Sequence, residues 1–345
     1  MKKLLTILLA ASLVLTGCSS SLAEQNDPAL KQYTATFLTL FDTVTTIVGR
    51  ADSEESFRNV AQDIHDELLE YHQLFDIYNT YEGMVNLKSI NDSAGVAPVQ
   101  VDQRIILLLQ DCRKYYDATD GMVNAAMGSV LHLWHVARSD GRDDPVNARL
   151  PDTAALQEAA LHTAFDNIII DEAASTVYLA NPAARLDVGA IAKGWSVQQV
   201  AQTAPEGLLI SVGGNVCSTG PKDSAGTPWV VGIQNIDGGD DYLHTIYLTE
   251  GCVVTSGDYQ RTYMVDGQMY HHIIDPTTLY PSTLWSSVTV VCADSGAADA
   301  LSTALFLLPQ AEGQALLELY DAEALWADAN GNLFYSPGFQ ALIRT

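Results

Sequence analysis

YHHIIDP at 270–276 and ADALSTAL at 298–305 decide how this chain reads. The first segment puts an imidazole, His272, and a carboxylate, Asp275, at the end of an apolar strand that Pro276 stops. The second opens an apolar helix, with Asp299 and Thr303 four residues apart and therefore on one helical face. Two hard oxygen groups beside a helix start, which favours anions, suit a magnesium ion shared with phosphates. The plainer alternative makes Asp299 a first-turn charge and Thr303 a buried hydroxyl. The segment alone leaves both readings open.

Outward from these segments the pattern is mixed. A strand at 287–293 leads into a helix from about Gly296 to Leu308, and Asp266-Gly267 centres a hairpin within 259–274. Further strands are expected at 167–171, 176–180, 185–188, 207–212, 229–235, 242–249 and 252–256, with a last pair around Asn330-Gly331. A helix is expected at 191–203. In the first half, 34–49 reads as one or two strands. Ser53 to Tyr78 carries apolar residues every three or four positions, the mark of an amphipathic helix. Helices at 101–117, 122–137 and about 152–161 complete that half, with loops at 86–95 and 139–151. The class is α+β, a helical N-terminal half packed with a sheet-rich C-terminal half around one site.

The N-terminus is a different kind of segment. Met1-Lys2-Lys3, an apolar run from Leu4 to Leu15, and Leu15-Thr16-Gly17-Cys18 match a lipoprotein signal peptide over 1–17. Cleavage before Cys18 and lipid attachment to its sulfur are expected, followed by a polar tether over 18–33. The protein is therefore expected on the extracytoplasmic face of the cell membrane, held only by its lipid. Losing Lys2 and Lys3 takes 17 basic side chains to 15, against 42 acidic ones, for a net charge of −27. Such a surface repels nucleic acid and anionic headgroups. A polyanionic ligand would need locally placed cations. Cys112, Cys217, Cys252 and Cys292 have no CxxC partner, so buried free thiols are expected rather than a zinc site, with a disulfide as the alternative.

Three turns could face a ligand. DVGAIAKG at 187–194 joins a strand to a helix, where glycines let the backbone approach a ligand and new N–H groups point at it. Lys193 falls in the first turn, against the helix dipole, and a phosphate would explain it. SVGGN at 211–215 and Thr255-Ser256-Gly257-Asp258-Tyr259 end two other strands. Each is equally readable as an ordinary turn.

In order, DVGAIAKG, SVGGN, VTSGDYQR, YHHIIDP and ADALSTAL resemble the successive signatures of the ApbE family. FDTVTTI at 41–47, Tyr78 ahead of LKSIN, and TDGMVNAAMGSV at 119–130 agree with it, so the likeness spans roughly 35–335. The resemblance implies one domain over 34–345, built of two intertwined subdomains. It also implies an FAD:protein FMN transferase: FAD binds with magnesium, a threonine hydroxyl of an exported partner attacks the phosphorus next to riboflavin, and AMP leaves. By the same resemblance Ala190 and Ser302 through their carbonyls, Asp299 and Thr303 hold the metal. Phe41, Tyr78, Met122, Val123, Asn124, Asp187, Lys193 and Ile273 contact FAD. His272 or Asp275 takes the proton, with His272 favoured because an imidazole titrates near neutrality. Asp42, Asn124 and Leu279 depart from a frequent Gly, Asp and Gly. Two other outcomes stay open: attack by water, giving an FAD pyrophosphatase, or a flavin receptor without catalysis.

Overall fold

The computed structural model describes residues 30–236 and 241–345. The leader, Cys18 and most of the tether lie outside the described residues. The chain enters as a hairpin of β1 (Lys31–Leu40) and β2 (Thr43–Ala51), so residues 31–33 of the expected tether already belong to a strand. Phe41 and Asp42 close the hairpin with φ of 51° and 54°. Two left-handed residues in succession match the twist of the strands, a conformation that glycine adopts with least strain.

α1 (Glu54–Leu74) begins where Ser53 accepts from the Ser56 N–H, and it buries Phe57, Ile64, Leu68 and Tyr71. It stops four residues short of Tyr78. There the Asp76 carboxylate accepts from the N–H groups of Tyr78 and Asn79, a local turn that competes with the helix. The polar stretch expected as a loop contains α2 (Leu87–Asp92), started by a reciprocal cap between Asn86 and Ser89. After β3 (Val99–Gln100) and α3 (Gln103–Ala118), the helix expected from 122 starts only at Gly128. Asn124 caps the Ala126 N–H and holds 122–127 out of the helix. That helix, α4 (Gly128–Asp143), then runs into the expected loop.

α5 (Thr153–Ala160), β4 (Ile168–Asp171) and β5 (Thr176–Leu179) follow. Residues 185–188 form no strand, only an isolated bridge from Arg185 to Met127. α6 (Ala192–Thr203), β6 (Leu208–Val212), β7 (Asn215–Ser218), β8 (Trp229–Gln234), β9 (Tyr242–Leu248) and β10 (Gly251–Gly257) come next. The hairpin around Asp266-Gly267 is β11 (Tyr263–Val265) and β12 (Gln268–Tyr270). β13 (Ser287–Cys292), α7 (Ser295–Leu307), α8 (Gln310–Leu319), β14 (Glu323–Ala327) and β15 (Leu333–Tyr335) end the chain. Two details of the opening argument change. β12 stops at Tyr270, so His272 and Asp275 sit on a loop. Asp294 caps α7, so Asp299 lies in its second turn and not at a helix start.

The main sheet has the order β1-β2-β6-β7-β10-β13-β14-β15, every pairing antiparallel. Its first two strands come from the N-terminal half, so the two halves interleave in one α+β body. α1, α6 and α7 cover one face. α7 is buried on nearly all sides, which is why its sequence is apolar all round. The β8–β9 hairpin covers part of the other face with Trp229, Val231 and Ile233.

Candidate active site

A cavity of about 580 Å³ opens where the first turn of α6, the second turn of α7, the end of β10, α4 and the 271–274 loop converge. Phe41, Tyr78, Met122, Val123, Asn124, Asp187, Ala190, Lys193, His272, Ile273, Asp299 and Thr303 all line it; Ser302 and Asp275 do not.

Asp299 is 3% exposed and anchors the floor. Lys193 Nζ donates to its Oδ1 at 3.1 Å and Oδ2 at 3.3 Å, and the Gly194 N–H donates to Oδ2 at 2.8 Å. The Asn215 amide completes the cluster: its oxygen accepts from Lys193 Nζ at 3.0 Å and its nitrogen donates to Asp299 Oδ1 at 3.2 Å. SVGGN thus carries a side chain into the site as well as a turn. Gly194 permits the arrangement, because a Cβ there would collide with Ser295 and Asp299 of α7. Ser302 lies behind the floor; its hydroxyl donates to the Asp299 carbonyl at 2.9 Å and meets Ser256 Oγ at 2.8 Å.

On the facing wall the His272 Nδ1 lies 3.2 Å from the Gln260 carbonyl. A carbonyl can only accept, so Nδ1 carries the proton and Nε2 keeps its lone pair. Burial first, then the charges of Arg261, Arg138, His271 and Lys193, push the imidazole down to about 3. It is neutral at physiological pH. Asp275 is differently employed: its Oδ1 accepts from the N–H groups of Thr277 at 2.7 Å and Thr278 at 3.4 Å, capping the turn that follows. Of the two proposed bases, only His272 faces the cavity. Leu279 in that turn has φ of 65°, a conformation that glycine adopts more readily.

Several lining residues carried no sequence signal. Tyr78 stacks on His135 with ring centroids 4.4 Å apart, and Arg138 Nη2 lies 3.2 Å from His135 Nδ1. Arg261 donates to the Phe41 carbonyl at 3.2 Å and ties the 259–262 turn to the first hairpin. Arg138 is pushed below the usual guanidinium range by burial and by Arg261, and burial raises Asp187. Lys193, Arg138 and Arg261 thus share the lining with Asp42, Asp76, Asp187 and Asp299, and they are the groups there that could meet an anion. The spacing of His135 and Arg138 on α4 was visible, but nothing in it marked which face meets a cavity.

Five imidazoles, His132, His135, His244, His271 and His272, are all pushed below the usual 6.5, chiefly by burial. Below about pH 6.5 the unfolded chain binds protons that the folded chain refuses, so stability falls as pH drops from 6.5 toward 3. Thermal melts at pH 7 and pH 5 should show this loss. His272→Gln should narrow the gap by about 2 °C, on the order of 1 kcal/mol for a protein this size. An unchanged gap would mean that His272 is not held neutral.

The cavity, about 580 Å³ at the seam of an α+β fold, has the size for a nucleotide and carries Lys193, Arg138 and Arg261 in its lining. The chain belongs to the ApbE family, whose model matches residues 41–326. It is 34% identical over 277 residues to the FAD:protein FMN transferase of Treponema pallidum (strain Nichols), covering 75% of each chain. The FAD:protein FMN transferase of Klebsiella pneumoniae (strain 342) is 30% identical over 286 residues, covering 79% of this chain and 86% of that one. Among solved structures, the ApbE protein of Thermotoga maritima superposes with a TM-score of 0.81 at 30% identity, over 91% of this chain and 100% of that one. The flavin transferase ApbE of Vibrio cholerae, with a TM-score of 0.73 at 24% identity over 91% and 99%, shares the fold.

Proposed function

We propose that the chain transfers the FMN moiety of FAD to a threonine hydroxyl of an exported protein and releases AMP. Family membership and its relatives' activity make it an enzyme of the FAD:protein FMN transferase type. One observation carries the finer reading: His272, its Nδ1 engaged by Gln260, and the Lys193–Asp299 pair line one cavity together with Arg138 and Arg261.

Asp299, Thr303 and the carbonyls of Ala190 and Ser302 would hold a magnesium ion. Of this set Ala190, Asp299 and Thr303 line the cavity and Ser302 does not; both carboxylate oxygens of Asp299 already accept a cation, Lys193. Among the described residues no group of three or more His, Cys, Asp or Glu is placed to hold a metal. A single carboxylate is in keeping with an ion that takes further ligands from phosphate and water. When bound, magnesium supplies charge neutralisation at the phosphoryl oxygens.

The residues themselves bind and orient. Lys193, Arg138 and Arg261 meet the phosphates, and the Tyr78 ring, backed by His135, offers a face to flavin or adenine. The acceptor threonine Oγ attacks the phosphorus next to riboflavin. His272 Nε2 takes the hydroxyl proton as the new P–O bond forms, and the P–O bond to the AMP phosphate breaks. The Gln260 carbonyl keeps the imidazole in the required tautomer. Bound phosphates offset Arg261, Arg138 and Lys193, so the imidazole becomes a stronger base when substrate arrives. Positioning and charge do most of the catalysis, as phosphoryl transfer requires.

Arg138→Ala should raise KM for FAD by about tenfold or more while lowering kcat less, as loss of a binding contact predicts. The function is tested by product stoichiometry. AMP and protein-bound flavin rising one to one, with the flavin on a threonine peptide, is expected; AMP rising with free FMN would make the chain a pyrophosphatase. We further propose that the protein sits on the extracytoplasmic face of the cell membrane on a lipid at Cys18, and a mass gain of diacylglycerol on the N-terminal peptide is the expected sign. No helix among the described residues is long and apolar enough to cross a membrane.

A further inference from the structure

Three cysteines stand side by side across neighbouring strands. Cys217 in β7 lies directly opposite Cys252 in β10, and Cys252 directly opposite Cys292 in β13. Directly opposed residues share a face of the sheet, here the one under α6, where Cys252 Sγ lies 3.9 Å from Gln198 Oε1. All three are buried and free, and the transfer chemistry uses none of them.

The backbone separates the two pairings. In an antiparallel strand each residue turns its N–H and C=O to one side, and successive residues alternate. The Thr255 N–H donates to Gly214 on the β7 side at 3.2 Å, and the Asp258 N–H donates to Ser286 on the β13 side at 2.9 Å. Even-numbered residues of β10 therefore bond toward β13. Cys252 and Cys292 form a hydrogen-bonded pair, whereas Cys252 and Cys217 form a non-hydrogen-bonded one. β7 agrees, since the Thr219 N–H bonds away from β10 to Leu208 at 3.0 Å. Non-hydrogen-bonded pairs hold their Cβ atoms closer, about 4.5 Å apart, nearest to the roughly 3.8 Å of a disulfide. Burial, and after it the neighbouring Cys217, pushes the Cys252 thiol up. Cys292 Sγ instead turns to the Tyr320 carbonyl at 3.8 Å, beside a separate cavity of about 190 Å³.

We propose that Cys217 and Cys252 are the disulfide site of this protein under oxidising conditions, with Cys292 and Cys112 left as thiols. Two protein thiols and one disulfide of the oxidant, glutathione disulfide or a protein disulfide, give the Cys217–Cys252 bond and two oxidant thiols. Two electrons and two protons pass to the oxidant. Both sulfurs are buried, so the bond forms while the chain folds, before α6 closes over the sheet. It ties β7 to β10 next to Thr255–Gly257, which wall the cavity, and to Asn215, which bonds to Asp299 and Lys193. The oxidised form keeps its activity and resists heat better.

Peptide mapping tests this independently of flavin transfer. The full chain is unfolded, reduced, refolded with reduced and oxidised glutathione, alkylated and digested with trypsin. Peptides 194–222, 223–261 and 262–344 each carry one of the three cysteines. The expected product links 194–222 to 223–261, two hydrogens lighter, with Cys112 and Cys292 alkylated. A link from 223–261 to 262–344, or alkylation of both Cys217 and Cys252, overturns the proposal. Cys292→Ser should retain the link and the added heat resistance; Cys217→Ser should lose both. The same map on chain expressed into an oxidising compartment needs no refolding and must give the same link.

Discussion

Asp299→Ala should reduce flavin transfer by at least about 100-fold, the several kcal/mol that a charge-neutralising cation site contributes to such a transition state. The carboxylate is 3% exposed and accepts from Lys193 Nζ, the Gly194 N–H and the Asn215 amide at once. Its loss leaves an ammonium and a backbone N–H facing an empty space. Removing one partner of a buried ion pair costs about 3–5 kcal/mol, and less here because the Lys193 side chain is 22% exposed to water. Asp299→Asn separates the two effects. It keeps the shape and most hydrogen bonds but lacks the charge, so folding should recover while transfer stays low. If the Asn variant transfers FMN at the native rate, Asp299 is a structural residue. Magnesium titration of both variants, read by protection against heat, gives the same answer without a turnover assay.

His272→Gln should lower kcat by about 10²–10⁴-fold, the usual worth of a general base, with FAD affinity unchanged. Glutamine fills much of the imidazole's space and can still donate to Gln260, but it cannot take a proton at neutral pH. The pH profile gives an independent reading. The free imidazole loses its proton at about 3, so kcat/KM should stay flat from pH 8 down to the limit set by stability. Bound phosphates raise the imidazole, so the acid limb of kcat should lie at higher pH than that of kcat/KM. An acid limb near 6.5 in both would mean that the surrounding arginines do not act on it.

The fold class was legible because α1 and α7 have strong patterns and Asp266-Gly267 marks its own hairpin. Four misreadings share one cause: side chains bonding to nearby backbone. Asp76 ends α1 early, Asn86 starts α2 in a stretch expected as a loop, and Asn124 delays α4. Asp294 shifts the start of α7 and moves Asp299 into the second turn. Each bond lies within three residues, but its outcome depends on packing that no window reveals. The strand expected at 185–188 alternates polar and apolar residues as a strand does, yet it finds only Met127 to bridge.

The site was legible where motifs were long. Lys193, Asp299 and His272 meet across a single cavity although 106 and 79 positions separate Lys193 from the other two. The resemblance could not tell His272 from Asp275, and one turn settles their places: Asp275 caps it, His272 faces the cavity. Arg138 and His135 were out of reach because their meaning depends on Tyr78, which arrives from another element. A basic residue on an acidic protein becomes informative only once its neighbours are known.

The central claim is that one cavity binds FAD and hands FMN to a protein hydroxyl through His272. Intact-mass spectrometry of an FMN-accepting domain, incubated with FAD, magnesium and this protein, tests it most directly. A mass gain of one FMN with the wild-type chain, and none with His272→Gln despite normal FAD binding, is the predicted result. An equal gain with both chains would contradict the assignment of His272, and no gain with either, while FAD is consumed, would contradict transfer itself.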